Sequence, residues 1–321
     1  MAPNGGSTPY RGAMTTSSPA STSAGAGTPA PTGPLLVRVR AVLPALAPAE
    51  QRVANAVLAD PGGVAAMTIS ELAVLASTSE TTVIRFCKQI GVPGYPQLRL
   101  QLAAQSAQSQ ESPEVGGDIE PGDSLTDVVA KVAYADERAV KETAQQLDPD
   151  ALARVVAAVA AAPRVDLYGL GASAFVALDL QQKLHRIGRV SFAWSDAHIA
   201  LTSAALLGEG DVAIGISHTG TTSEVVETLQ EAAKHGATTV AITNYPRSPV
   251  AHAAQLLLTT AARETTYRSG AMASRIAQLM VVDCLFIGVA QQVLPDARKA
   301  LESTYTAVRG HHLKGIGDTT A

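Results

Sequence analysis

The sequence is poor in aromatic residues and in cysteine. Phe, Trp and Tyr make up only 4% of its 321 residues, so its cores must be built from aliphatic side chains, for which a hydrophobic content of 46% is sufficient. Cys87 and Cys284 lie far apart, each in an apolar stretch. Their separation argues against a disulfide framework or a zinc site and predicts buried free thiols. Free thiols favour a reducing compartment, so a cytoplasmic protein is expected.

Long hydrophobic runs are also lacking. The longest, Met280 to Ala290, is broken by Asp283 and is too short to cross a bilayer, so no membrane partner is expected. Residues 1–34 are rich in Ser, Thr, Pro, Gly and Ala, and they lack the apolar segment of a secretory signal. This composition predicts a disordered tail.

A strong net charge is absent as well. The formal charge is −4, which argues against a protein that coats nucleic acid. The charge is unevenly distributed: residues 35–105 hold six Lys or Arg and four Asp or Glu, whereas residues 106–321 hold 17 and 24. A mildly basic head on an acidic body is compatible with a small DNA-reading domain.

Length and composition divide the chain into several parts. We predict a disordered tail over 1–34, an all-helical head over 35–110, a polar linker over 111–122, an α/β body over 123–298 and a C-terminal tail over 299–321. The paired residues His311 and His312 are expected to be solvated in that last tail.

Two short helices around a tight turn are predicted within the head. Thr68 and Glu71 have capping-box spacing at the start of the first helix. The turn follows at residues 77–79, where Ser79 can cap the second helix. Such a pair is the helix-turn-helix, whose second helix enters the major groove of double-stranded DNA.

The second helix presents a polar face. Arg85 carries the guanidinium fork that pairs with guanine, and Thr81 and Thr82 suit mixed contacts to bases. Ser79 and Lys88 are better placed for phosphates, which fix register but not sequence. A helical hairpin with an ordinary solvated face stays open as the alternative.

In the body, apolar strands alternate with helices, which predicts a parallel sheet covered on both faces. The predicted strands are 165–168, 190–194, 212–217, 239–243 and 256–259. A flavodoxin-like three-layer αβα fold with five parallel strands in the order 2-1-3-4-5 is expected. Ligands of such sheets bind at the carboxyl ends of the strands, where the strand order reverses.

Two hydroxyl-rich loops are predicted to meet at that point, 169–173 after the first strand and 217–222 after the third. Gly171 allows close approach of the backbone to a ligand. Hydroxyls and N–H groups at helix N-termini bind anions, and a phosphate ester suits such a site.

Simpler interpretations of these loops stay open. Gly169, Gly171 and Ala174 match a dinucleotide fingerprint, with Asp196 after the second strand, although a nicotinamide cofactor leaves the second loop without a role. That second loop can also be a plain cap. We favour anion binding, because the loop holds more hydroxyls than one cap requires.

These segments together resemble the RpiR/MurR family of bacterial transcription regulators over about residues 36–295. The resemblance is carried by residues 46–54, by 79–88 with Gly91 and 94–96, and by 274–279 with Asp283. The body resembles the sugar isomerase (SIS) fold. The resemblance implies a regulator of sugar-metabolism genes that binds a DNA operator and a sugar-phosphate effector as a homodimer or homotetramer, with no cofactor or metal.

The resemblance also assigns roles in the body. Ser173, Ser217, Thr219 and Thr222 match the hydroxyl positions that hold the sugar phosphate in SIS domains. His218 occupies a variable loop position, either contacting the ligand through its backbone or lying on the surface.

A sugar-phosphate isomerase is the alternative function for the body. Isomerisation needs a general base near the substrate carbon, and Glu264 can serve as that base or hydrogen-bond a sugar hydroxyl. Because the sequence offers Glu264 no second acid–base partner, we expect binding without turnover.

Overall fold

The computed structural model describes residues 33–109, 118–264 and 272–309. Nearly all of the predicted N-terminal tail, most of the predicted linker, and the pair His311 and His312 lie outside the described residues.

The head is helical, as predicted. Its helices are α1 (Leu35–Val42), α2 (Pro48–Ala59), α3 (Pro61–Ala66), α4 (Ile69–Leu75), α5 (Glu80–Gln89) and α6 (Tyr95–Ser109), with a 3₁₀ turn at Leu43–Ala45. They enclose one aliphatic core, in which Phe86, Leu72 and Leu98 are fully buried. Cys87 is buried there as a free thiol, and burial raises its pKa to about 11.

Helix α3 was not predicted from the sequence. The Asp60 side chain accepts a hydrogen bond from the Gly63 N–H at 2.8 Å, and Pro61 occupies the first helical position. An N-cap followed by proline begins a helix even when glycines follow. The two glycines after Pro61 therefore do not prevent a short helix.

The body begins with two helices and continues into the sheet. The elements are α7 (Leu125–Gln146), α8 (Pro149–Ala161), β1 (Val165–Gly169), α9 (Ala172–Arg186), β2 (Ser191–Trp194), α10 (Ala197–Ala204), β3 (Val212–Ile216), α11 (Ser223–Lys234), β4 (Thr238–Thr243), α12 (Pro249–His252), β5 (Leu256–Thr259), α13 (Ala273–Gln292) and α14 (Leu294–Arg309). All strand pairs are parallel in the order β2-β1-β3-β4-β5, which confirms the prediction.

The central strands are buried on both faces, so their side chains divide between two cores. Ile214 and Ile216 of β3 pack with α8, α9 and α13, whereas Ala213 faces α10 and α11. Gly215 also lies on the α11 side, where a Cβ would stand 2.7 Å from Leu229 Cδ1. Its lack of a side chain lets α11 lie close to the sheet.

The last two helices depart from the sequence analysis. Helix α14 continues to Arg309, so residues 299–309, predicted as tail, are helical and pack beside α9. Helix α13 is longer than the apolar run noted above, and by length and composition it is the one described helix that passes as a membrane span. It packs against α7, α8 and α9, and 44% of that span is buried. Cys284 on α13 is free but only partly buried.

A buried carboxylate ties the sheet to its neighbours. Asp166 of β1 is fully buried and receives both Arg164 Nε and Nη2, at 2.8 and 2.9 Å. It also accepts the Trp194 indole N–H at 2.8 Å and the Ser203 hydroxyl at 2.6 Å. One carboxylate thus connects β1, β2 and α10, and its charge is compensated within the fold.

Candidate functional site

The predicted helix-turn-helix is formed by α4 and α5. Thr68 and Glu71 make the capping box, with Glu71 Oε2 2.7 Å from the Thr68 nitrogen, and Ser79 Oγ accepts from the Thr82 N–H at 3.3 Å. At the turn, Ser77 has φ +47°, a left-handed conformation that glycine adopts more easily. Arg52 secures the turn by donating from Nη2 to the Ser77 carbonyl at 2.8 Å.

The predicted DNA-reading side chains lie on the outer face of α5. Ser79, Thr81, Arg85 and Lys88 are exposed, and Thr82 is half-buried. The opposite face buries Val83, Phe86 and Cys87 in the head core. The helix therefore presents a polar face on a packed support.

Arg85 has a partner that the sequence did not reveal. Its Nη2 and Nε lie 3.0 and 3.1 Å from Glu50 Oε1, while Glu50 Oε2 accepts the Ala47 N–H at 3.3 Å. The Glu50 side chain is only 5% exposed, whereas that of Arg85 is 60% exposed. The ion pair fixes one edge of the guanidinium and orients the other outward.

In the body, the two predicted loops start side by side, because Gly169 at the end of β1 pairs with Ile216 at the end of β3. We call the space between the 169–173 loop, the 217–222 loop and the start of α13 the crevice. Ser217 Oγ lies 2.9 Å from Thr222 Oγ1 and accepts the Gly220 N–H at 3.1 Å. The second loop is thus organised around its own hydroxyls.

Two glycines shape the crevice in different ways. Gly220 has φ +65°, and a Cβ there would lie 2.0 Å from Ser248 Oγ, so the loop needs glycine for both conformation and space. Gly171 has φ +56°, but a Cβ there would meet nothing within 4 Å. Gly171 therefore leaves open space beside the start of α9. Thr219 is exposed and accepts from the Thr221 hydroxyl at 2.9 Å.

Helix α13 links the first loop to the predicted acidic residue. The Ser173 hydroxyl donates to Gln278 Oε1 at 3.2 Å. One turn earlier in α13, the Ser274 N–H donates to Glu264 Oε1 at 2.7 Å. Ser173, Glu264, Ser274 and Gln278 therefore converge on one edge of the crevice.

Several polar atoms at this edge have no hydrogen-bond partner among the described residues. They are buried atoms from three parts of the chain, namely the 217–222 loop, the segment after β5, and α13. The atoms are His218 Nδ1, Glu264 Oε2, Ser274 Oγ and Gln278 Nε2. An unpaired buried polar atom costs about 1–3 kcal/mol. Because the set includes donors and acceptors, a polyhydroxylated ligand can satisfy them together.

His218 is placed differently from a surface histidine. It is half-buried and its ring packs against Tyr245, with centroids 5.8 Å apart. Burial lowers the pKa of His218, and the negative charge of Glu264 opposes that shift. Burial also raises the pKa of Tyr245. His218 and Glu264 therefore lie within electrostatic reach of each other.

The sequence analysis missed Ser274, Gln278 and Tyr245 as site residues. A signal for the first two was present, since they are polar and stand four residues apart, on one face of a largely apolar helix. Asp196, considered for a dinucleotide, instead caps α10 by accepting the Ile199 N–H at 3.0 Å. The described residues contain no group of three or more His, Cys, Asp or Glu placed to hold a metal.

Two family models match the two regions. The helix-turn-helix domain of the rpiR family matches residues 34–109, and the SIS domain matches residues 159–288. NanR of Vibrio vulnificus, solved in complex with ManNAc-6P, is 29% identical, with a TM-score of 0.56 over 87% of this chain and 100% of NanR.

Two further proteins are similar. The sugar isomerase domain of an RpiR transcription factor from Sphaerobacter thermophilus is 26% identical, with a TM-score of 0.52 over 56% of this chain and 98% of that domain. A curated HTH-type transcriptional regulator of Caldanaerobacter subterraneus subsp. tengcongensis is 39% identical over 84% of this chain and 95% of that protein. The chain thus belongs to the rpiR family of helix-turn-helix transcriptional regulators and carries a SIS domain as its body.

Proposed function

We propose that this protein is a DNA-binding regulator of sugar metabolism whose operator affinity is controlled by a sugar phosphate bound in the crevice. The phosphate lies against Ser173, Ser217, Thr219 and Thr222, beside the open space at Gly171. The family assignment supports the regulatory role, and the NanR complex with ManNAc-6P supports the class of effector.

The observation that carries the effector assignment is the set of unpaired buried atoms at one edge of the crevice. A phosphate alone does not explain them, because Glu264 Oε2 is an acceptor that an anion would repel. Sugar hydroxyls both donate and accept, so they suit Glu264, Gln278 and Ser274 at once. The phosphate and the sugar hydroxyls thus have different partners, which meet at the Ser173–Gln278 hydrogen bond.

A thermal-shift series tests the effector. ManNAc-6P, glucose 6-phosphate and fructose 6-phosphate are compared with their unphosphorylated sugars and with NAD(H), and a bound ligand at 100 times its Kd stabilises by about 2.7 kcal/mol. We expect a rise in Tm with at least one sugar phosphate. Ser217→Ala should abolish it, whereas Ser303→Ala, on α14, should not. A rise with NAD(H) alone would contradict the proposal.

DNA recognition is tested on α5. Arg85→Ala should weaken binding to the duplex that the protein selects from a random library by about 1–3 kcal/mol and relax its specificity. Lys88→Ala should weaken binding to all duplexes alike and reduce the salt slope by about one. If Arg85→Ala leaves the sequence specificity unchanged, Arg85 does not read bases and only pairs with Glu50.

A second function has one observation in its favour. The structure places His218 within electrostatic reach of Glu264, whereas the sequence offered Glu264 no acid–base partner. A sugar-phosphate isomerase would use such a pair. We propose binding without turnover; a steady conversion of fructose 6-phosphate that Glu264→Gln abolishes would reverse this assignment.

The assembly and location are also proposals. We infer a homodimer or homotetramer, since both α9 and α10 carry exposed apolar side chains, including Phe175, Leu178 and Ile199. A cytoplasmic location is proposed with it, from the family assignment. Light scattering at micromolar concentration should give two or four times the 32.9 kDa chain mass.

A further inference from the structure

We propose that Arg247 couples the crevice to the DNA-reading helix, by joining the loop after β4 to the last residue of α5. We call residues 243–248 the connecting loop. The inference rests on the proposed function and specifies how occupancy of the crevice reaches the DNA.

At one end, the connecting loop contacts α5, the DNA-reading helix of the head. Arg247 Nη1 donates to Gln89 Oε1 at 2.8 Å, and Nη2 donates to the Gln89 carbonyl at 3.3 Å. Gln89 is the last residue of α5, so its carbonyl lies at the negative end of the helix dipole, where a cation is favourable. Arg247 thus contacts both the side chain and the backbone end of the recognition helix.

At its other end, the connecting loop contacts the 217–222 loop through His218. The His218 carbonyl accepts from the Asn244 N–H and from the Thr243 hydroxyl, each at 3.2 Å. The His218 ring packs on Tyr245. Three successive residues of the connecting loop therefore contact the one residue whose unpaired Nδ1 lies at the crevice.

Between these ends the connecting loop is stiff. Tyr245 N–H donates to Thr243 Oγ1 at 3.3 Å, and Ser248 N–H donates to the Tyr245 carbonyl at 3.1 Å. Pro246 removes a further degree of backbone freedom. Just beyond the loop, Val250 N–H donates to the Gly220 carbonyl at 2.9 Å. A shift of the 217–222 loop is therefore carried to Arg247.

A ligand that contacts His218 shifts the connecting loop. This shift changes the hydrogen bonds between Arg247 and Gln89 at the end of α5. Operator affinity and effector affinity are then linked reciprocally. The coupling factor, defined as the ratio of DNA Kd values with and without effector, is about 5–150 in typical allosteric proteins. Without Arg247 this route from the crevice to α5 is lost, although the Arg40–Glu142 ion pair still joins α1 of the head to α7 of the body.

The experiment measures DNA Kd by fluorescence anisotropy on the library-selected duplex, with and without saturating ManNAc-6P, glucose 6-phosphate or fructose 6-phosphate. The proteins are wild type, Arg247→Ala, Gln89→Ala, the double variant, and Arg154→Ala as a control that removes an exposed arginine of the body. Effector binding by each DNA-free protein is followed in parallel by thermal shift.

We expect Arg247→Ala and Gln89→Ala each to bring the coupling factor to within about twofold of one, with no further loss in the double variant because both remove one contact. Effector binding should persist, and Arg154→Ala should couple like wild type. If both single variants keep the wild-type coupling factor, the inference is wrong, while the proposed function stands.

Two other outcomes also decide the matter. If Arg247→Ala weakens DNA binding equally with and without effector and lowers the salt slope by about one, Arg247 contacts DNA phosphate and the inference is wrong. If no sugar phosphate shifts the Tm of the wild type, the proposed function fails, and the coupling fails with it.

Discussion

The head and the body of this protein handle polar groups in opposite ways. On α5 the groups proposed to meet DNA, such as Thr81 and Lys88, are exposed on one short segment of chain. In the crevice, polar atoms of Glu264, Ser274 and Gln278 are buried and come from two separate segments. A long polyanion is met by an outer face, whereas a small ligand is met by enclosed groups.

The difference has a physical reason. DNA binding depends on charge and on contacts that water can also make, so exposed groups can serve. A small ligand offers little area, so its affinity depends on hydrogen bonds made in a desolvated space. The crevice therefore holds buried polar atoms, whereas the DNA-reading face of α5 does not need them.

The largest effect is expected from removing the buried Asp166 carboxylate of the body. Asp166→Ala leaves the Arg164 guanidinium and the Trp194 N–H without their carboxylate, so it should destabilise the body by about 3–5 kcal/mol. Urea unfolding measures this. Glu227→Ala, an exposed carboxylate on α11, should change stability by less than about 0.5 kcal/mol. Equal losses would mean that the Asp166 cluster adds nothing specific.

A smaller effect separates the two glycines of the crevice. Gly220→Ala should destabilise the body by about 1–2 kcal/mol from its left-handed backbone alone, with a further loss because the new Cβ meets Ser248. Gly171→Ala meets no neighbouring atom, so its cost is the strain of a backbone at φ +56° and ψ −127°, which glycine adopts far more easily than alanine. It should still be the milder change in folding, because a Cβ at Gly220 would also lie 2.0 Å from Ser248 Oγ. Thermal denaturation without ligand compares them. Equal Tm values would show that the 217–222 loop yields to the added methyl.

A gain of stability is expected in the head. Ser77→Gly relieves a left-handed residue in the turn between α4 and α5, so the head should gain about 1 kcal/mol or less. Ser77→Ala retains a Cβ and is the matched control. Proteolysis rates of the head in mild urea report the difference, and a loss on going to glycine would mean that the Ser77 hydroxyl matters more than its backbone.

The smallest effect is a pH dependence in the body. Burial lowers the pKa of His218 below its ordinary value of 6.5, so between the folded value and 6.5 the unfolded chain binds more protons than the folded one. His218 should therefore lower stability as pH falls below about 6.5. The difference between wild type and His218→Gln in Tm against pH isolates this contribution, and parallel curves would contradict it.

The sequence predicted local features well. Thr68 and Ser79 cap α4 and α5 as predicted. These features depend on residues within one turn of each other. The strand order also agreed, because it was taken from the flavodoxin-like arrangement that is common among folds of alternating strands and helices.

What the sequence could not provide depends on contacts between distant residues. The Glu50–Arg85 pair and the Ser173–Gln278 hydrogen bond join side chains 35 and 105 positions apart. The unpaired state of Ser274 and Gln278 is visible only once α13 is packed. Helix α14 was missed because its apolar residues are spaced among many charged ones.

The Glu50–Arg85 ion pair connects the capping of α2 with the orientation of a DNA-reading side chain. Glu50 uses one oxygen to cap the start of α2 and the other to orient Arg85. An exchange at position 85 for a neutral residue would leave a buried carboxylate without its cation. We therefore expect changes of operator preference during evolution to accumulate at Thr81 and Thr82, and positions 50 and 85 to vary only together.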